Sequence, residues 1–261
     1  MTPATNLAFQ DDPIDGWRRH VVPQNWGHFT ADDHMVWDLL FERQVRAIGP
    51  RLIEASRRGL DLLRLGHPGI PELGELNARL GAATGWTAVA VPGLIPDEDF
   101  FAMLAQRVFP VGNFIRRRDQ LDYLQEPDLF HDIFGHVPML ADPTLSSLLS
   151  ELGRLGVEAC DEGHGELVAR VYWHSIEFGL AREAGELRIL GAGLASSFGE
   201  GLVSVEGDRI ERRPFSLEAA VRTPYRHDSF QPLYLVAENL DSTLEAILNA
   251  DLEQLKRLAA D

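Results

Sequence analysis

Cysteine is nearly absent from this 261-residue chain: Cys160 stands alone, so no intrachain disulfide can form and nothing points to an oxidising compartment. Cytoplasm is the expected location. Positive charge is scarce as well, with 24 Lys and Arg against 40 Asp and Glu and a formal net charge of −16. That surplus repels phosphate backbones and anionic bilayers, so neither nucleic acid nor a membrane is an expected partner. Long apolar runs are missing. The longest, about Trp86 to Ile95, falls far short of the roughly 20 residues needed to cross a bilayer. Residues 1–15 hold three acids and no Lys or Arg, the wrong charge for a secretory or mitochondrial leader. No Gly-x-Gly-x-x-Gly follows a predicted strand and no Gly-Lys-Ser/Thr occurs, which removes the usual signs of a dinucleotide or nucleoside triphosphate site.

What remains is an ordinary globular composition, 45% hydrophobic and 25% charged. A chain of this length buries roughly 70–75% of its unfolded surface, enough for a substantial core. Residues 1–29 read as an irregular arm held down by Phe9, Trp17, Trp26 and Phe29. Thr30 opens a Thr-x-x-Asp start signal, and Val36, Leu39, Leu40 and Phe41 form a helical stripe ending at Gly49-Pro50. A second helix is expected after Pro50. Further starts fall at Pro71, Pro96, Pro127 and Pro143, the last behind Asp142 as N-cap. Strands are predicted over Trp86–Val91, Leu187–Leu190 and Leu233–Val236, with a hairpin joining Leu202–Val205 to Arg209–Arg212. Leu244, Ile247, Leu248, Leu252 and Leu255 predict a helix running almost to the C-terminus. The expectation is a mainly α fold with a small β component, residues 30–261 forming one domain without a linker.

The chemistry concentrates in Glu126-Pro-Asp-Leu-Phe-His-Asp-Ile-Phe-Gly-His-Val-Pro138, where His131 and His136 stand five apart. On an ideal helix five residues leave two side chains about 140° apart, so both imidazoles reach one ion only if the helix ends or bends between them. Gly135 and Pro138 permit that. The step also differs from the His-Glu-x-x-His of zinc peptidases. Glu177, a lone acid among Ile176, Phe178 and Leu180, would complete a two-histidine, one-carboxylate triad of the kind that holds non-haem iron(II). A buried carboxylate without a partner is costly, and a divalent cation removes the cost. By spacing alone, structural histidines in a non-catalytic helical binding protein, or a zinc hydrolase with the same ligands, remain open.

Four strings in order, the one just quoted, Tyr172-Trp-His-Ser-Ile-Glu-Phe-Gly179, Gly191-Ala-Gly-Leu-Ala-Ser-Ser-Phe-Gly199 and Phe230-Gln-Pro-Leu-Tyr234, resemble the catalytic domain of the aromatic amino acid hydroxylases. The similarity covers roughly residues 17–240 and is strongest to the short bacterial phenylalanine 4-hydroxylases, which lack regulatory and tetramerisation domains. The resemblance implies a phenylalanine-catabolising monooxygenase that uses dioxygen, Fe(2+) and a tetrahydropterin co-substrate to convert L-phenylalanine to L-tyrosine. Hydroxylation of tryptophan, or of another ring carbon, is the alternative within the family. It implies His131, His136 and Glu177 as iron ligands. It places the substrate carboxylate on Arg116, with Asp128 or Glu126 orienting the guanidinium fork, and the ring among Pro127, Trp173, Phe178, Gly193 and Ser196. For the pterin it implies the loop Gly93, Leu94, Ile95, with Phe100 as stacking platform and Asp132 and Tyr172 nearby. No catalytic residue beyond the ligands is implied, and a monomer or dimer is expected. Two positions depart from the family pattern: Asp132 replaces a Glu, and His174 stands where an aromatic ring is usual.

Overall fold

The computed structural model describes residues 13–122, 126–226 and 229–260. Phe9 of the expected arm, and His227, lie outside them. The chain runs through helices α1 (Ala31–Ala47), α2 (Glu54–Leu62) and α3 (Leu73–Thr84), then strand β1 (Thr87–Val91), helix α4 (Asp97–Ala105) and strand β2 (Val108–Gly112). A wide helical turn, His131–His136, leads into the short α5 (Val137–Leu140), the long α6 (Pro143–Asp161) and α7 (Gly165–Tyr172), which ends in a second wide turn, Trp173–Glu177. There follow β3 (Leu180–Glu183), β4 (Glu186–Ile189), α8 (Ala192–Ser196), α9 (Phe198–Glu206), β5 (Glu211–Pro214), α10 (Leu217–Arg222), β6 (Leu233–Ala237), α11 (Leu240–Leu248) and α12 (Leu252–Ala260). The fold is mainly helical with a small β component, as expected from the sequence.

Local chemistry explains most of these boundaries. Thr30 accepts from Asp33 N while the Asp33 carboxylate takes the Thr30 N–H, a reciprocal cap that starts α1. The buried stripe of α1 is Val36, Trp37, Leu40 and Gln44 rather than the expected set: Leu39 is 40% exposed and Phe41 half-buried. Trp37, wholly buried against Phe130, turns that face inward. Asp142 caps α6 through Thr144 and Leu145, as its position before Pro143 predicts. The arm is anchored by Trp17, buried in a cluster with Ala102 and Met103, and by Val22 N–H donating to Ala90 O.

Two expectations fail. Leu202–Val205 is not a strand: it lies in α9, whose N-cap Ser197 accepts from Glu200 N and whose last carbonyls receive Arg212. The predicted hairpin therefore does not form, and β5 pairs in parallel with β6 instead. An apolar run this short fits either period, and the cap decides it. The C-terminal helix is also two helices, interrupted at residues 249–251, where Asp251 accepts from Gln254 N to start α12.

The strands β1 and β2 form a parallel pair, and the second sheet has the order β4-β3-β6-β5. Two strands escape the sequence reading, β2 because of Pro110, which a two-stranded sheet tolerates on its free edge, and β3 because it is only four residues long. Helix α6 crosses α4 at glycines. A Cβ on Gly153 would lie 2.3 Å from Ala105 N, so the helix backbones touch there. We expect Gly153→Ala to lower stability by about 1–3 kcal/mol, read as a reduced urea midpoint, because the obstructing atoms are backbone and cannot rotate away.

Candidate active site

The ends of these elements enclose a cavity of about 620 Å³. The β1–α4 loop and β2 form one side, the two wide turns form the floor, and α8 with Arg226, Phe230 and Gln231 forms the other side.

Each wide turn is a π-helix, closed by i→i+5 hydrogen bonds. The helix thus neither ends nor bends between His131 and His136. It widens by one residue per turn, which brings side chains five apart onto one face. Gly135 serves packing rather than bending, since a Cβ there would meet Ala192 O at 2.7 Å.

The three expected ligands converge. His131 Nε2 lies 3.2 Å from His136 Nε2 and 3.6 Å from Glu177 Oε1, and His136 Nε2 lies 3.0 Å from Glu177 Oε2. These separations put all three donors within reach of one ion, with the cavity on their other side. Burial holds the His131 pKa down to about 4, so its imidazole is neutral and its Nε2 lone pair available. Burial alone would raise the Glu177 carboxyl, but the two imidazoles beside it draw its pKa below the usual value. A neutral His131, a second imidazole and one carboxylate fit a divalent cation.

Outer contacts fix the imidazoles. With Nε2 directed at the metal position, His131 Nδ1–H donates to Ser196 Oγ at 2.8 Å, whose own hydroxyl points to Gly193 O. His136 Nδ1 faces Tyr172 OH at 3.4 Å, and its ring lies on Phe109. Gly193 is required by closeness, because a Cβ there would stand 2.6 Å from Glu177 Oε1. We expect Ser196→Ala to weaken iron(II) binding by roughly 10–100-fold, measured by competition with a chelator, with little loss of fold.

Arg116 is buried, and its Nε and Nη2 donate to the two oxygens of Asp128 at 2.9 and 2.8 Å. Asp128 also accepts the backbone N–H groups of Arg116 and His131, so one carboxylate ties the guanidinium to the metal-side turn. Burial would raise the Asp128 carboxyl, yet the bonds and charge of Arg116 keep its pKa below 3.8. Of the two acids weighed for this role, Asp128 fills it. It does not line the cavity but stands wholly buried behind Arg116, while Glu126 reaches the rim.

Every other expected site residue borders the cavity. Pro127, Trp173, Phe178, Gly193 and Ser196 line one part; Gly93, Leu94, Ile95, Phe100, Asp132 and Tyr172 line another. Trp173 lies between Phe178, 5.0 Å away, and Tyr225, stacked at 4.2 Å. Phe100 meets Tyr172 edge-on at 5.4 Å. Burial pushes the Asp132 carboxyl up to about 7 against the pull of the Gly112 N–H, which it accepts at 2.7 Å. His174 turns away from the cavity and donates to Thr223 O at 2.9 Å, so it packs and holds the segment that carries Tyr225. Sequence reasoning missed Glu200, Arg226, Phe230 and Gln231, all cavity residues. Three of them lie in or beside the strings Gly191–Gly199 and Phe230–Tyr234, which carried a resemblance but no assigned role.

The fold and the three converging donors match a metal enzyme of the two-histidine, one-carboxylate class, with an aromatic-walled cavity above the donors. The sequence profile of the family described as "Biopterin-dependent aromatic amino acid hydroxylase" matches residues 28–258, and this chain belongs to that family. Phenylalanine-4-hydroxylase of Caulobacter vibrioides is 44% identical over 240 residues, covering 92% of this chain and 82% of the relative. A crystal structure of Chromobacterium violaceum phenylalanine hydroxylase with bound iron(III) and the oxidised cofactor 7,8-dihydrobiopterin superposes with a TM-score of 0.87 at 38% identity, covering 100% of this chain and 94% of the other. The iron- and phenylalanine-bound structure of the same enzyme gives 0.86 at 38% identity, over 93% and 88%.

Proposed function

We propose that this chain hydroxylates L-phenylalanine to L-tyrosine with dioxygen and a tetrahydropterin, using iron(II) held by His131, His136 and Glu177. The observation that carries the reading is the convergence of these three donors at 3.0–3.6 Å beneath a cavity that also holds a paired arginine and two aromatic walls. The bacterial relatives named for this reaction support the substrate. When bound, the metal and the pterin together supply the activation of dioxygen, a reaction no side chain can perform.

The protein's own part is positioning. Asp128 holds the Arg116 fork so that the remaining guanidinium edge receives the substrate carboxylate, and the distance from Arg116 to the metal position then sets which ring carbon is presented. Trp173, Phe178 and Pro127 confine the ring. Phe100, with the loop Gly93–Ile95, offers the pterin a face to stack on, and Asp132 beside Gly112 offers its ring nitrogens an acceptor. At about 620 Å³ the cavity suits two small ligands side by side and little free water.

The test is anaerobic loading with iron(II), followed by L-phenylalanine, tetrahydropterin and air, with chromatography of the product. Tyrosine formed only when both iron and pterin are present supports the reading. Hydroxytryptophan formed faster from L-tryptophan would move the substrate within the family, and turnover without oxygen would sink the hydroxylase reading.

A further inference from the structure

The paired Arg116 and Asp128 account for one end of a zwitterionic amino acid and leave its ammonium group without a counter-charge. Glu200, at the start of α9, is a buried carboxylate on the cavity wall. Its Oε1 accepts both Gln231 N–H at 2.8 Å and Tyr234 OH at 2.9 Å. Among the described residues no group engages Oε2, and no cation pairs with the carboxylate. Burying an unpaired anion is costly, and here two donors hold it in place on the cavity side rather than letting it swing to solvent.

Other acceptors on that side are already engaged. Ser196 Oγ takes the His131 imidazole, Ser197 Oγ takes Glu200 N–H, and Gln231 Oε1 takes Arg226 N–H. Asp132 lies across the cavity beside Gly112, and Glu126 is exposed at the rim. Resting on the amino acid hydroxylase reading, we propose that Glu200 receives the α-ammonium of the substrate, so that Arg116 and Glu200 together select an α-amino acid over other aromatic carboxylates. A zwitterion adds no net charge to the site, and each of its ends would then meet an opposite, pre-oriented group. Consistent with an anion that lacks its cation, burial pushes the Glu200 carboxyl above its ordinary value, opposed only by the Gln231 and Tyr234 bonds.

The test compares L-phenylalanine with 3-phenylpropanoate, which keeps the ring and carboxylate but has no ammonium group, by equilibrium dialysis against the anaerobic iron(II)-loaded protein. Glu200→Gln keeps an acceptor oxygen for Gln231 and Tyr234, so the wall stays in place while the charge is removed. We expect it to weaken L-phenylalanine about 10–100-fold and to change 3-phenylpropanoate less than about 3-fold, the difference being one charge-assisted hydrogen bond. Tyr234→Phe, which removes a support and keeps the carboxylate, should leave L-phenylalanine the tighter ligand. An equal loss for both ligands in Glu200→Gln, or no loss for either, would overturn the assignment by making Glu200 a structural residue or a bystander. Wild type that fails to bind L-phenylalanine at all would overturn the substrate reading beneath it, and would be seen before any variant is compared.

Discussion

Glu177→Ala should abolish stoichiometric iron(II) binding and lower tyrosine formation on the order of 10³-fold or more, since loss of an outer partner alone costs 10–100-fold. The reason is electrostatic as much as geometric. His131 is neutral in its buried setting, so Glu177 is the one ligand that brings negative charge to the ion. Removing it leaves a divalent cation to be held by two imidazoles alone, with no negative charge to offset its desolvation. Metal analysis after desalting, beside product chromatography, measures both losses. Glu177→Gln separates the site from the fold, for it keeps the shape and removes a buried charge. Apo Glu177→Gln should unfold in urea somewhat earlier than apo wild type, because the lowered Glu177 carboxyl contributes stability at neutral pH, but should remain cooperatively folded while failing to retain iron. Retention of one iron per chain by either variant would remove Glu177 from the ligand set.

The site was more legible in the sequence than the fold was, for physical reasons. Ligands are named by residue type, so His131, His136 and Glu177 stand out in any sequence, and three further strings around them carried a resemblance. What the five-residue step concealed was the backbone that uses it. A π-turn has no compositional signature, and the sequence admitted only an ended or bent helix as a way to bring both imidazoles together. Gly135 likewise read as a point where the helix could bend and Gly193 as a residue beside the substrate ring, whereas each is glycine because another chain segment passes within 3 Å of where its Cβ would be. Helix starts survived because their signals are local, as with Thr30 and Asp142. The hairpin at residues 202–212 failed because four apolar-rich residues carry no period, and the capping Ser197 lies outside them. Glu200 was illegible for a different reason: an acid at the start of a helix is ordinary, and only burial against Gln231 and Tyr234 distinguishes it.

Asp128→Ala should lower stability by about 3–5 kcal/mol and also raise the KM for L-phenylalanine, because it leaves the Arg116 guanidinium buried without its counter-charge. Three further bonds go with it: the second oxygen of the fork, the Arg116 N–H and the His131 N–H, so the metal-side turn loosens together with the substrate clamp. The acid limb of stability should change in a defined direction. The Asp128 carboxyl is held below 3.8 in the folded chain, so its contribution is complete above that value and disappears as the pH falls through the lowered one. Urea midpoints of wild type should thus fall on acidification below about pH 4, and the difference between wild type and Asp128→Ala should narrow there. Replacing both partners, Arg116→Met with Asp128→Leu, removes the uncompensated charge and should recover part of the stability, though not the backbone bonds to Arg116 and His131. That double variant should still bind iron but bind L-phenylalanine no better than Asp128→Ala does. If stability and substrate affinity returned together, the buried pair would be a feature of folding and Arg116 would not be the carboxylate clamp.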